Sequence, residues 1–201
     1  PRIYGNFWYD KPWLFYGELL ISFRLFGVTS FAARFFPAVF ATIGVLQTCW
    51  FAQKLYNRKV GFLSGLIMAT SVEYFYLAKA VITDMTLFVT TTGSLMLFYV
   101  AKSENKSRLL YGAYALTGLA LLTKGPVGLV LPGLIILAYL AGNRDFRTLT
   151  RMKLIRGSLL TLGIAALWYG PMIALHGTDF LAGFIGVHNI LRATVSEHPR
   201  N

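Results

Sequence analysis

The sequence has 201 residues, of which 56% are hydrophobic, 15% aromatic and only 13% charged, where an ordinary soluble domain carries about 25% charged residues. This is the composition of a membrane protein. The net charge of +11 sits in short loops between apolar blocks and not on a basic stripe interleaved with aromatics, which argues against a nucleic-acid partner; the single cysteine, Cys49, lies inside an apolar block and excludes a disulfide framework.

Residues 6–16 read "NFWYDKPWLFY", where Asp10, Lys11 and Pro12 stand among aromatics. Residues 13–27 follow, an apolar run that carries Glu18 and Arg24. Such a run is short for a span, and its charges are costly at the bilayer centre. It predicts an amphipathic helix lying in the membrane interface, anchored by Trp13 and Tyr16. Apolar blocks then recur at 35–53, 60–78, 85–101, 109–123, 126–142 and 157–175, each near the length a hydrocarbon core requires. Pro37, Pro132 and Pro171 fall in or near these blocks, as membrane helices tolerate. The expected fold is all-α: a polytopic bundle of about six transmembrane helices plus an outer-face interfacial helix.

The loops alternate in charge. Lys54, Arg58 and Lys59 fill the first, Lys102, Lys106 and Arg108 the third, and Arg144, Arg147, Arg151, Lys153 and Arg156 the fifth. The positive-inside rule places these three in the cytoplasm. The opposite face carries residues 1–34, 79–84, 124–125 and 176–201, and with them most acidic residues and all three histidines. Were residues 13–27 to cross the membrane, this assignment would invert. The expected organisation is an outer loop with its interfacial helix (1–34), a transmembrane bundle (35–175) and a second outer loop (176–201). Pro1 is not an initiator and "VSEHPRN" ends in a polar stretch, so the sequence reads as an internal piece of a longer protein.

On the outer face, Asp84 in "AVITDMTLF" immediately precedes a predicted helix. It can cap that helix, serve chemistry, or do both. Lys124 in "LLTKGPVGL" ends one apolar block, and Gly125 and Pro126 turn the chain into the next. It is either a lysine snorkelling to the interface or a cation held in a tight hairpin to meet a phosphate. Asp10 and His188 make a plausible pair of metal donors, a hard oxygen and an imidazole, although sequence separation says nothing about their proximity. No glycine-rich phosphate loop, zinc knuckle or nucleophile elbow is present. What remains is a site beside lipid, suited to a lipid-linked substrate.

Taken together, "GNFWYDKPWLFYGELLISFRLFGVTSFAARFFPAVF", "AVITDMTLF", "LLTKGPVGLVLPG", "LWYGPMIALHGTDFLAGFIGVHNILR" and "SEHPRN" resemble, in order, the motifs of the ArnT-like and protein mannosyltransferase group of membrane glycosyltransferases, glycosyltransferase family 39. The resemblance covers essentially the whole chain. It implies an integral membrane protein, expected in a bacterial inner membrane, that moves a sugar from a polyprenyl-phosphate donor to a lipid (lipid A-like) or protein acceptor at the periplasmic face. Asp10 falls at the family's acidic metal ligand, Lys11 at the adjacent lysine, Asp84 at a second acidic site residue and Lys124 at a lysine near the donor phosphate. The His-Asn-x-x-Arg loop places His188, or Asn189 one register over, as a ligand to a divalent metal ion, and Arg192 as a substrate contact. Two departures stand out: Trp13 replaces the second proline of the acidic-Lys-Pro-Pro motif, and Asp replaces the commoner Glu at position 10. The family's first catalytic aspartate would precede Pro1, so residues 1–201 alone are expected to be inactive. The rival class is a transporter or channel, whose sites sit near the membrane midplane on broken helices.

Overall fold

The computed structural model describes residues 2–3, 6–7, 11–181 and 184. A two-residue antiparallel ladder, β1 (Arg2–Ile3) with β2 (Asn6–Phe7), precedes the helices that make up most of the described residues. The first helix, α1 (Leu14–Phe26), is 13 residues long and so rises about 20 Å, too little for a hydrocarbon core of about 30 Å. Its buried residues Phe15, Glu18 and Ser22 lie on one stripe at helical spacing, and Leu20, Ile21 and Leu25 are exposed. The helix packs on α2 (Ser30–Leu55), where Ser22 Oγ donates to the Ala32 carbonyl.

Helix α2 starts five residues before the apolar block that marks it in the sequence. The reason is the Thr29 cap, whose Oγ1 accepts the Ala32 N–H at 3.1 Å and satisfies one of the orphan donors of the first turn. Block 60–78 is not one helix but two, α3 (Arg58–Thr70) and α4 (Val72–Lys79), bent by 64°. Ser71 between them is extended, with φ −66° and ψ 128°. Thr70 Oγ1 donates back to the Leu66 carbonyl at 2.8 Å, the local side-chain bond by which Ser and Thr weaken and bend a helix. The centre of the bundle is the pair α5 (Asp84–Ser103) and α6 (Ser107–Lys124), antiparallel across a three-residue turn. Then come α7 (Val127–Gly142), the short α8 (Arg147–Arg151) and α9 (Leu154–Leu181).

By length and composition, α2, α5 and α9 can each cross a membrane alone, and α3 with α4 can do so as one broken span. Helix α7, at 16 residues, is shorter, about 24 Å. Each of the six apolar blocks is thus helical, and the protein is an integral membrane protein. Helix α9 runs past residue 175 to Leu181, so His176 and Asp179 lie on it and not in a loop; Gly177, with φ 49°, interrupts the helical geometry there.

Polar side chains knit these helices. Ser94 Oγ donates to the Ala113 carbonyl at 2.9 Å, Gln47 Nε2 to Thr92 Oγ1 at 2.6 Å and Thr161 Oγ1 to the Tyr114 carbonyl at 2.9 Å. Interhelical bonds of this kind contribute where apolar burial gives no preference for protein over lipid. At Gly128 the backbones of α6 and α7 come so close that a Cβ would lie 2.3 Å from the Ala120 carbonyl group.

Three ion pairs gather the basic loops at one end: Lys54 with Glu104 at 2.6 Å, Lys106 with Glu104 at 2.8 Å and Lys102 with Asp145 at 2.9 Å. Glu104 and Asp145 are held below the usual carboxylate range chiefly by hydrogen bonds from these lysines. The start of α5 and the end of α6 lie at the other end.

Candidate functional site

Helix α5 begins with Asp84 and α6 ends with Lys124. Because the two helices are antiparallel neighbours, residues forty positions apart meet: Lys124 Nζ donates to Asp84 Oδ1. Each charge also sits at the favourable pole of its own helix, the carboxylate at a positive N-terminus and the ammonium at a negative C-terminus. The side chains remain 39% and 34% exposed, so an incoming group can reach either.

The turn behind the lysine holds it there. Gly125 has φ 77°, where a side chain would be strained, and its N–H returns to the Leu121 carbonyl at 3.0 Å. Pro126 then serves as the cap residue of α7. One wall of the neighbourhood is aromatic. Trp168 and Tyr169 of α9 meet Phe180 and Phe184, the last two stacked at 5.4 Å, and the Tyr169 hydroxyl reaches the Leu121 carbonyl at 3.4 Å, one turn before Lys124.

The sequence singles out Asp84 and Lys124, and the structure brings them together. Lys11 is half-buried just before α1. Asp10, His188, Asn189 and Arg192 lie outside the described residues, and so does the expected metal pair. Among the described residues no group of three His, Cys, Asp or Glu side chains is placed to hold a metal ion.

The structure adds a residue that sequence reasoning treats only as a cost, Glu18. It is 5% exposed, on the face of α1 turned to the bundle. Thr86 Oγ1, two residues into α5 from Asp84, donates to Glu18 Oε2 at 3.1 Å. Oε1 is buried with no hydrogen-bond partner. Burial pushes this carboxyl up to about 7, against a smaller lowering by the Thr86 bond. The signal in the sequence was a lone acid in an apolar run.

Similarity to known proteins bears on this geometry. A solved structure of ArnT from Cupriavidus metallidurans bound to undecaprenyl phosphate superposes with a TM-score of 0.88 at 22% identity, over 94% of this chain and 36% of that one. The same enzyme in the apo state gives 0.86 at 23% identity, over 92% of this chain and 35% of that one. These likenesses establish the helical membrane fold. An undecaprenyl phosphate-alpha-4-amino-4-deoxy-L-arabinose arabinosyl transferase of Aeromonas salmonicida is 30% identical over 96% of this chain and 36% of its own length. An uncharacterized protein of Aquifex aeolicus is 32% identical over 96% of this chain and 43% of its own length. The chain therefore spans well under half the length of these relatives. The profile of the dolichyl-phosphate-mannose-protein mannosyltransferase family matches residues 10–169, a stretch that contains α1, the Asp84–Lys124 pair and most of α9, and it is to this family that the chain belongs.

Proposed function

We propose that this chain forms part of a membrane glycosyltransferase that moves a sugar from a polyprenyl-phosphate donor to a hydroxyl of a lipid or protein acceptor at the periplasmic face of a bacterial inner membrane. The observation that carries the reading is the Asp84–Lys124 pair at the ends of two antiparallel helices, half-exposed and opposite the basic loops. The positive-inside rule puts those loops in the cytoplasm and the pair outside. The names of the relatives supply the substrate class: undecaprenyl phosphate carries the sugar in the arabinosyl transferase and is bound in the Cupriavidus enzyme.

In this reaction the acceptor oxygen bonds to the anomeric carbon, the bond from that carbon to the phosphate oxygen breaks, and the electron pair leaves with the phosphate. Negative charge grows on the phosphate in the transition state. Lys124 is the cation that meets it, a preorganised charge of the sort that contributes most to such catalysis. Asp84 holds the ammonium in place before the donor arrives, which favours lysine positioning over acceptor activation for this carboxylate. No described residue is assigned as the base that takes the acceptor proton. Asp10 and His188 are proposed as donors to a divalent metal, a hard oxygen and an imidazole being a fitting set, and Lys11 and Arg192 as further phosphate contacts. The metal would add positive charge on the phosphate side. The site lies at helix ends and not at mid-helix, where transporter sites are built.

The test is sugar transfer from the lipid carrier by the full-length protein. Lys124→Ala should lower kcat/KM by about 100-fold or more, with Lys124→Arg retaining part of it. Unchanged transfer in Lys124→Ala would overturn the phosphate role.

A further inference from the structure

The basic end of the bundle holds a cavity of about 180 Å³ between the α5–α6 turn and α8. Its lining includes Lys102, Ser107, Asp145, Arg147 and Arg151 over an apolar floor of Leu110 and Met152. The charges do not balance. Asp145 is matched by Lys102 at 2.9 Å, while Arg147 and Arg151 have no ion-pair partner among the described residues. The two arginines are one turn apart on a five-residue helix, and like charges at that spacing disfavour a helix. A bound anion would reverse the sign of that effect. Ser107 Oγ accepts from Lys153 Nζ at 3.1 Å, which leaves the hydroxyl proton free to donate.

Next to the cavity runs an open apolar groove lined by Leu149, Leu154 and Ile155 and edged by Lys153 and Arg156. Phe146 and Ile155, on either side of α8, are 59% and 80% exposed. A pocket with two arginines in excess of its carboxylate, a hydrophobic groove beside it and exposed apolar side chains together match a molecule with a phosphate head and a hydrocarbon tail. The cavity is below the roughly 300 Å³ at which drug-sized pockets begin, which suits a headgroup and not a whole soluble ligand.

We propose that this cavity binds the phosphate of an anionic phospholipid, with one acyl chain along the Leu149–Ile155 groove, on the membrane face opposite the Asp84–Lys124 pair. The guanidinium forks of Arg147 and Arg151 grip the phosphate oxygens, as arginine does wherever bidentate anion recognition is needed, and basic pockets between helices at the cytoplasmic side are of the kind that take such headgroups. The site fixes α8 to the leaflet and ties the α5–α6 turn to α9. It does not depend on the sugar-transfer reading.

Native mass spectrometry of the full-length protein in a neutral detergent, titrated with phosphatidylglycerol, phosphatidylcholine or inorganic phosphate, tests this. Phosphatidylglycerol should be retained over both competitors. The double variant Arg147→Gln/Arg151→Gln should weaken it by about 25-fold, roughly fivefold per guanidinium. A charge-matched control, Arg58→Gln/Lys59→Gln on the first basic loop, should change it by no more than about twofold. Melting without lipid checks that both variants fold. Equal weakening by the two double variants would reduce the effect to general surface attraction and overturn the site. Retention of phosphatidylcholine or of inorganic phosphate as strong as that of phosphatidylglycerol would overturn the anionic lipid as its occupant.

Discussion

Replacing Glu18 by glutamine should stabilise the protein at alkaline pH and leave it unchanged at acid pH. Glu18 is buried, with one oxygen bonded by Thr86 and the other without a partner, and its carboxyl is raised from 4.5 to about 7. A group whose folded value is raised contributes stability that is fully present below its unfolded value and is lost as pH rises through the folded one. The window here is therefore pH 4.5 to about 7. A shift of about 2.5 units corresponds to about 3 kcal/mol, and burial removes the solvent screening that would discount it. Glutamine keeps the shape and the bond from Thr86 but has no charge to desolvate. At pH 8 the variant should be more stable by up to about 3 kcal/mol; at pH 4.5 the difference should fall below about 0.5 kcal/mol. Paired thermal unfolding in one detergent across this range reads the difference directly, because every other titrating group is common to both proteins and cancels. A difference independent of pH would refute the reasoning, as would a variant less stable at pH 8.

Two further perturbations address the frame that carries the site. Gly128→Ala adds a Cβ 2.3 Å from the Ala120 carbonyl group; the parting of α6 and α7 should cost about 1–3 kcal/mol and outweigh the gain of about 1 kcal/mol in helix propensity, seen as a lower melting midpoint. Thr29→Ala removes the 3.1 Å bond to the Ala32 N–H and should cost about 1 kcal/mol; amide hydrogen exchange should show faster opening in the first turn of α2 and no change in α5.

How much of this could be read in the sequence depends on the kind of signal. All six apolar blocks became helices because a long apolar run in a membrane has few other ways to satisfy its backbone. The break at Ser71 was hidden, since Thr70, Ser71 and Glu73 are too few polar residues to end an apolar block, and the bond from Thr70 to Leu66 that loosens the helix end is a matter of local geometry. The burial of Glu18 was hidden for another reason: α1 turns Glu18 and Ser22 inward beside Phe15 and leaves Leu20, Ile21 and Leu25 exposed, so polarity alone does not tell its inner face from its outer one. Asp84 and Lys124 were each legible as helix ends, yet their meeting follows only when helix lengths are compared. Helix α5 has 20 residues and α6 has 18, joined by a short turn, so the chain travels about 30 Å away and about 27 Å back.

That geometry also bears on whether Asp84 caps its helix, serves the proposed chemistry, or does both. The cap position of α5 is Thr83, which makes no side-chain capping bond, and the Asp84 carboxylate is committed to Lys124. A fully buried pair of this kind would resist exchange, because removing one partner leaves the other an uncompensated charge. This pair is half-exposed and stands at helix termini. On the proposed mechanism, a phosphate drawing Lys124 away leaves Asp84 at the positive end of α5, still favoured by the helix and still in reach of solvent. The lysine can therefore change partners at small cost and be recovered by the carboxylate when the carrier phosphate departs. A lysine without Asp84 would be charged but not positioned, and a deeper pair would be positioned but not available.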